Sequence, residues 1–413
     1  MNQTKILFSV FFTIFIDMLG VGILIPIYPL LVFLHSPFRV TPDSWTLSSG
    51  LLMLGWLSAS YPLAQFIFSP LLGQLSDKFG RKKVMLLSTI GTSISYLLFA
   101  IAIVTKNIPL LFFSRIMDGC TGGNISVAGA VIGDISAPDN RAKNFGLIGI
   151  AFGLGFIFGP AISGVLSDHH LVSWFSAAMP FYFITALSII NVFLIIKFLP
   201  ETLKLKSEKR LDISRPLHNI IIAFRKPGLR NIMPSTFLFN SGFTFFTTFF
   251  AVIMTSKYHF TQSGIGNYFA FIGLMSILAQ AIVVRRVAKI AKDYQILRFS
   301  MFGSAFCLFA FFMIPDGKIY LLYCIPPFLS SCNALTMAFN STLVTRVTPD
   351  NLRGEAMGIN SSVMAMAQAI PAIASGYIAS ISTTLPIIVG SLICMCAGIV
   401  FWLLFDPRQF DYK

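Results

Sequence analysis

Twelve runs of mostly apolar residues, each long enough to cross a bilayer, decide what this chain can fold into. A spanning helix needs about 20 such residues, and the runs cover, in rough bounds, 6–34, 48–71, 84–104, 109–134, 144–166, 178–199, 228–254, 263–284, 295–314, 319–345, 355–380 and 385–405. The ninth is the shortest. With 55% hydrophobic residues and a mean hydropathy of +0.79, the 413 residues carry more apolar surface than one water-soluble core hides. The expected class is an all-α integral membrane protein with twelve transmembrane helices. Only five residues precede the first run, which exceeds the core of a signal peptide and so reads as a retained span.

A formal net charge of +14 would suit nucleic acid if the cations shared one face. They follow the order of the runs instead. With the N-terminus inside, the outward segments hold Arg39, Lys106, Lys257 and Lys318, Arg115 lies within the fourth run, and the other Lys and Arg fall on the inner side. Positive charge collects in cytoplasmic loops, so both termini are expected in the cytoplasm of a multi-pass protein. Its partner is then the lipid bilayer, not nucleic acid. Cys120, Cys307, Cys324, Cys332, Cys394 and Cys396 all lie in runs and read as small core residues. Cys394 and Cys396, two apart, point in different directions on a helix. No metal or redox site follows.

One long polar stretch, from Pro200 to Arg230, divides the runs six and six. The expected organisation is a six-helix bundle over 1–199, a cytoplasmic linker over 200–227 and a second bundle over 228–413. The linker is most simply a tether; the alternative is a partly helical segment lying at the lipid surface. The halves repeat. Ala137-Pro138-Asp139-Asn140-Arg141 returns as Thr348-Pro349-Asp350-Asn351-Leu352-Arg353, and Pro160-Ala161-Ile162-Ser163-Gly164 returns as Pro371-Ala372-Ile373-Ala374-Ser375-Gly376, both starting at an offset of 211 residues.

Between the second and third runs stands the charge-dense Gly73-Gln74-Leu75-Ser76-Asp77-Lys78-Phe79-Gly80-Arg81-Lys82-Lys83. Its two glycines permit a tight reversal, Asp77 is placed to cap a neighbouring helix, and its four cations mark the inner side. The pattern Gly-x-x-x-Asp-Lys-x-Gly-Arg-Lys-Lys resembles the cytoplasmic signature between helices 2 and 3 of the major facilitator superfamily. The resemblance covers essentially the whole chain. It implies two six-helix pseudo-symmetric bundles with the substrate site between them near the midplane. At the repeat offset, 284–294 keeps Arg285, Arg286, Lys289 and Lys292 but has lost the glycines, and Ala288 replaces the acid. The resemblance also implies a cytoplasmic gate of charges bracing the inner helix ends, assigned to Gly73, Asp77, Gly80, Arg81, Asp134, Arg141, Arg353 and Glu355. Asp77 would also serve the N-terminus of the helix beginning near Gly354.

A charge at a helix centre in the bilayer costs at least about 2.5 to 3.5 kcal/mol, so each one needs a reason. Asp17 lies near the middle of the first run, and Arg115 and Asp118 share a face of the fourth. Ile14-Phe15-Ile16-Asp17-Met18-Leu19-Gly20, followed by Pro26 and Pro29, resembles the first helix of tetracycline/proton antiporters and their drug-efflux relatives. Arg115-Ile116-Met117-Asp118-Gly119-Cys120-Thr121-Gly122-Gly123 resembles their fourth-helix signature, with Asp118 where Gln is common. Proton coupling is therefore assigned to Asp17, Arg115 and Asp118. Arg115 would face Asp17 or Asp118 across a cavity, so that protonation and substrate binding exclude each other. The plainer reading is a static pair that locks helices, which for Asp118 needs only Arg115 on its own helix.

The fifth run holds Gly153-Leu154-Gly155-Phe156-Ile157-Phe158-Gly159-Pro160-Ala161-Ile162-Ser163-Gly164. Glycines four apart let helix backbones approach closely, and a proline bends the helix. Gly155, Gly159, Pro160 and Gly164 resemble the fifth-helix signature of the antiporter branch, which implies a sealed helix pair between the halves and export in exchange for protons. The cavity candidates are Tyr61, Gln65, Asn124, Asn240, Phe243, Phe246, Asn333 and Gln368; each would equally serve packing or an interhelical hydrogen bond. The acids and histidine that tetracycline antiporters carry in helices 3, 8 and 9 have no counterpart, which argues against tetracycline itself.

The expected function is a proton-coupled antiporter that exports a small amphipathic or aromatic compound by alternating access. It would run on the proton gradient without cofactor or metal, and as a monomer. Two alternatives stay open: proton-coupled or facilitative import of a nutrient or iron-chelate, and a non-transporting receptor on the same fold. An enzyme is the weakest rival, since the spans hold no metal-ligand His pair, no plausible Ser-His-acid set and no phosphate-cradling Gly-Lys loop.

Overall fold

The computed structural model describes residues 3–136, 138–203, 211–212, 214–315, 317–348 and 353–406, with the backbone alone for 138–143 and 353–355. The expectations placed on Arg141, Arg353 and Glu355 fall outside the described side chains. Hydrocarbon offers no partner to a peptide group, so each span must bond internally. The chain accordingly forms α1 (Gln3–Val32), α2 (Leu47–Phe79), α3 (Arg81–Val104), α4 (Ile108–Thr121), α5 (Asn124–Ile135), α6 (Pro138–Leu166), α7 (Met179–Phe198), α8 (Arg215–Arg225), α9 (Met233–Ser256), α10 (Gln262–Leu278), α11 (Val284–Val287), α12 (Asp293–Met313), α13 (Ile325–Arg346), α14 (Arg353–Ile381) and α15 (Leu385–Leu404). A wider π-helical turn, Ala279–Val283, joins α10 to α11. No strand occurs among the described residues. Where helices start, proline supplies a residue with no N–H to satisfy in α4, α7, α9, α13 and α15.

Eleven helices among the described residues are long and apolar enough to cross a membrane. The missing one is the fourth run, which is two helices of 14 and 12 residues rather than the expected single span. The cause is Gly122-Gly123, where α2 presses on the chain. A Cβ at Gly122 would stand 2.8 Å from the Tyr61 hydroxyl, and one at Gly123 2.6 Å from Leu72. The 73–83 segment also differs from the expected loop. α2 runs on through Phe79 and α3 starts at Arg81, with Gly80 alone between them at φ +108°. Gly73 is helical and makes no reversal; a side chain there would meet only Ser126 Oγ at 3.8 Å.

The chain divides into two compact units: Met1–Gly50, Ser60–Arg215 and Phe260–Ala270 form the first, and Leu51–Ala59, Pro216–His259 and Phe271–Lys413 the second. In the first, α1 lies along α6 over the glycines of the fifth run. A Cβ on Gly159 would stand 2.8 Å from the Leu19 carbonyl oxygen, one on Gly155 2.5 Å from Met18 Cβ, and Ser163 Oγ donates to the Ile23 carbonyl at 2.7 Å. Val10, Ile14, Met18, Met85, Val127, Val131 and Ile195 fill the core beside this seam, and Asn191 Nδ2 donates to Thr13 Oγ1 at 3.1 Å, tying α7 to α1. In the second unit Phe246, Phe250 and Phe311 pack ring on ring between α9 and α12, with centroids 4.5 to 5.5 Å apart.

The repeat recurs as geometry. In the first unit a Cβ on Gly266 of α10 would stand 2.6 Å from the Pro160 carbonyl oxygen and 2.9 Å from Gly164 Cα. In the second, a Cβ on Gly55 of α2 would stand 2.9 Å from the Ala372 carbonyl oxygen and 2.8 Å from Gly376 Cα. Gly55 and Gly266 are 211 residues apart, and the residues they meet, Pro160 and Ala372, Gly164 and Gly376, are 212 apart. The same backbone-on-backbone crossing is built twice. The fifth-run glycines therefore serve two neighbours, Gly155 and Gly159 meeting α1 and Gly164 meeting α10.

Overpacking a filled seam costs about 1 to 3 kcal/mol. Gly159→Val is expected to lower the thermal unfolding midpoint in detergent. Gly146→Val should leave it unchanged, because nothing lies within 4 Å of a side chain at Gly146.

Candidate functional site

The broken run gathers buried charge in the first unit. On α4, Arg115 Nη1 donates to Asp118 Oδ2 at 2.7 Å, and both side chains are 6% exposed. The guanidinium carbon lies 4.6 Å from the centre of the Tyr61 ring, a cation–π contact. One turn along α2, Gln65 Nε2 donates at 2.9 Å both to the Tyr61 hydroxyl and to the Gly122 carbonyl, which the break has freed from the helix ladder. α5 restarts at Asn124, whose Nδ2 donates to Asp17 Oδ1 at 3.3 Å. The positive end of the α5 dipole thus lies at the Asp17 carboxylate. Tyr96 of α3, also buried, closes the cluster against Gly20, one turn from Asp17.

The structure therefore brings Asp17, Tyr61, Gln65, Arg115, Asp118 and Asn124 together. Of the two partners expected for Arg115 it shows Asp118, three residues away on the same helix, rather than Asp17. Three buried atoms here make no hydrogen bond: Asp17 Oδ2, Asn124 Oδ1 and Arg115 Nε. Unmade bonds of this kind each forfeit roughly 1 to 3 kcal/mol and are rare in settled packing.

The second cluster lies where α2 meets α3. Buried Arg81 donates through Nη1 to Ser76 Oγ at 2.6 Å, pairs with Asp77, and reaches Asp134 Oδ2 of α5 through Nε at 3.2 Å. Its backbone N–H, unmatched in the first turn of α3, donates to Glu201 Oε1 at 2.8 Å. Thr202 Oγ1 donates to the same Asp134 oxygen at 3.1 Å. Gly80 sits at φ +108°, a conformation that side chains rarely adopt, and a side chain there would also push on the Glu201 carboxylate. Farther back, the Asp212 N–H donates to Gln74 Oε1 at 2.8 Å and Gln74 Nε2 to the Asp212 carbonyl at 3.1 Å.

The candidates in the second unit do not join one site. Asn240 Nδ2 donates to the Thr236 carbonyl of its own helix at 2.8 Å. Thr236 Oγ1 donates to Asn340 Oδ1 at 2.6 Å, and Asn340 Nδ2 to Asn360 Oδ1 at 3.3 Å, a chain that links α9, α13 and α14. Phe246 is buried, with the Phe243 ring 5.6 Å away and partly exposed. Asn333 Oδ1 has no partner and Gln368 is exposed.

The family model described as Major Facilitator Superfamily matches residues 10–341. The chain belongs to the Major Facilitator Superfamily. It is 30% identical over 276 residues to the tetracycline resistance protein, class H, of Pasteurella multocida, a stretch covering 66% of this chain and 64% of that protein. It is 26% identical over 418 residues to the quinolone resistance protein NorA of Staphylococcus aureus (strain COL), over 100% of this chain and 99% of that one. The crystal structure of a D-xylose-proton symporter superposes with a TM-score of 0.82 at 14% identity, covering 100% of both chains, which shows the fold. Members of this superfamily are transporters, not enzymes, and the chain spans about two thirds of the length of the tetracycline resistance protein it matches.

Three residues of these clusters of the superfamily transporter escape a reading by sequence. Glu201 and Thr202 sit just past the sixth run and look like linker until the fold returns them to Arg81. Tyr96 is one of six hydroxyl side chains in its span, and nothing in the sequence singles it out. Removing one member of a buried ion pair costs about 3 to 5 kcal/mol, because the other charge is left alone. Arg115→Ala is expected to destabilise the protein by that order, and adding Asp118→Ala to recover most of the loss, as read by chemical unfolding of the single and double variants in detergent.

Proposed function

We propose that this transporter is a proton-coupled antiporter that exports small amphipathic or aromatic compounds by alternating access. It works in a bacterial inner membrane with both termini in the cytoplasm, as a monomer, driven by the proton gradient without a cofactor. The observation that carries the reading is Asp17: a buried carboxylate with one oxygen held by Asn124 and the other free of any donor. Intramembrane acids of this kind are functional by default. Arg115 and Asp118 neutralise each other, so the charge of the cluster turns on Asp17. A proton arriving from outside neutralises it and releases cargo; loss of that proton inside resets it. Gln65, Tyr61 and Asn124 line the same cluster and orient cargo by hydrogen bonds.

Arg81, with Asp77, Asp134 and Glu201, acts as a cytoplasmic latch: its ion pairs hold the inner ends of α2, α3 and α5 together. The names of relatives such as the tetracycline and quinolone resistance proteins support export of a drug-like compound. The symporter likeness, at 14% identity, carries no direction of transport.

In proteoliposomes screened with a panel of amphipathic compounds, Asp17→Asn is expected to abolish uphill transport driven by an imposed proton gradient while retaining binding of the compound that wild type carries. Transport by the variant at the wild-type rate would overturn the mechanism. Asp77→Asn should insert normally yet transport slowly, and loss of the expressed protein instead would show a folding role for Asp77.

A further inference from the structure

The helix α8 lies outside every span, in the polar stretch between α7 and α9. At about 100° per residue its side chains sort into three faces. Pro216, Asn219 and Ala223 are buried, and Asn219 Nδ2 donates to Ser362 Oγ of α14 at 3.1 Å. Leu217, Ile221 and Phe224, each about one turn from the last, are 61%, 50% and 42% exposed. Arg215, His218 and Arg225 are exposed on the remaining side, which they share with the half-buried Ile222. An apolar stripe between a packed face and a cationic face is the pattern of a helix lying in a membrane interface.

The anchor on α14 gives the depth. Ser362 lies nine residues into a helix of 29 residues, roughly 13 Å along an axis roughly 43 Å long. Hydrocarbon is about 30 Å thick, so in a centred α14 this hydrogen bond falls several Å inside the lipid boundary. That is the level at which interfacial helices bury their apolar face. Exposed Arg230 follows α8 by five residues, and the acid at its start, Asp212, accepts hydrogen bonds from the N–H and hydroxyl of Ser214.

We propose that α8 docks anionic phospholipid of the leaflet it faces, Leu217, Ile221 and Phe224 entering the acyl boundary while Arg215, Arg225 and Arg230 hold the headgroup phosphates. Guanidinium forks bind phosphate oxygens in pairs, and basic residues at a juxtamembrane helix draw anionic lipid. On the proposed topology the leaflet is the cytoplasmic one. Because Asn219 ties α8 to α14, and seven residues connect it to α9, the headgroup charge of the bilayer acts directly on the second unit.

The test uses the full chain with p-benzoylphenylalanine in place of Phe224, reconstituted in vesicles of phosphatidylcholine and phosphatidylglycerol, irradiated and read by intact mass. The expected result is a phosphatidylglycerol adduct enriched severalfold over the vesicle composition, absent when the probe replaces His218. The enrichment should disappear in Arg215→Gln/Arg225→Gln/Arg230→Gln, all exposed positions, with the lipid adduct itself retained. Adducts in proportion to bulk composition, crosslinks to protein, or no lipid adduct at Phe224 would each overturn the proposal.

Discussion

Hydrocarbon cannot hydrogen-bond a peptide group, and this fold follows from how that demand is met and where it is waived. Long helices meet it. Once every backbone group is satisfied within its own helix, little drives helices together except close packing and a few polar bonds. The chain supplies both: glycines that let α1, α6 and α10 touch by backbone, and short hydroxyl and amide links such as Asn191 to Thr13 and Thr236 to Asn340. The waiver comes at Gly122-Gly123. There a carbonyl leaves the ladder and is taken up by Gln65, in the cluster that also holds the acid and ion pair of the first unit.

Most of the spans were legible because a period-independent signal, length of apolar run, is enough to find them. α15 starts at the residue that hydropathy names, and α7 lies within one residue of its run at both ends. The fourth run misled because Gly122 and Gly123 leave hydropathy unchanged, and what breaks the helix is the pressure of Tyr61 and Leu72 from another element. The 73–83 segment misled in the opposite sense. Its charges suggested a loop, yet Lys, Arg and Asp sit comfortably on helix ends, and one glycine at positive φ turns the corner. The Arg115 to Asp118 pair was within reach of a spacing rule, being three apart on a helix. The embrace of Arg81 by Glu201 was not, since it joins residues 120 apart in sequence.

The two halves of the sequence repeat at an offset of 211 residues, but Asp17, Arg115 and Asp118 have no charged counterpart at that offset. The first keeps a carboxylate, an ion pair and a charged latch. The core of the second is knit by neutral amides and hydroxyls, from Thr236 through Asn340 to Asn360. The 284–294 copy has lost the glycines but not the charge: it keeps four cations, and Asp293 pairs with Arg346 of α13 at 3.1 Å.

The paired glycine crossings have a mechanical meaning. Helices that interlock by side-chain ridges hold a fixed angle, because turning one lifts knobs out of their holes. At Gly164 on Gly266, and again at Gly55 on Gly376, the contact point has no side chains to lift. Each crossing resembles a bearing more than a gear: it fixes the distance between two axes and leaves their angle to be set elsewhere along the helices. The internal repeat gives this molecule two bearings of one design, and their matched clearance is kept by four residues that have no side chain at all.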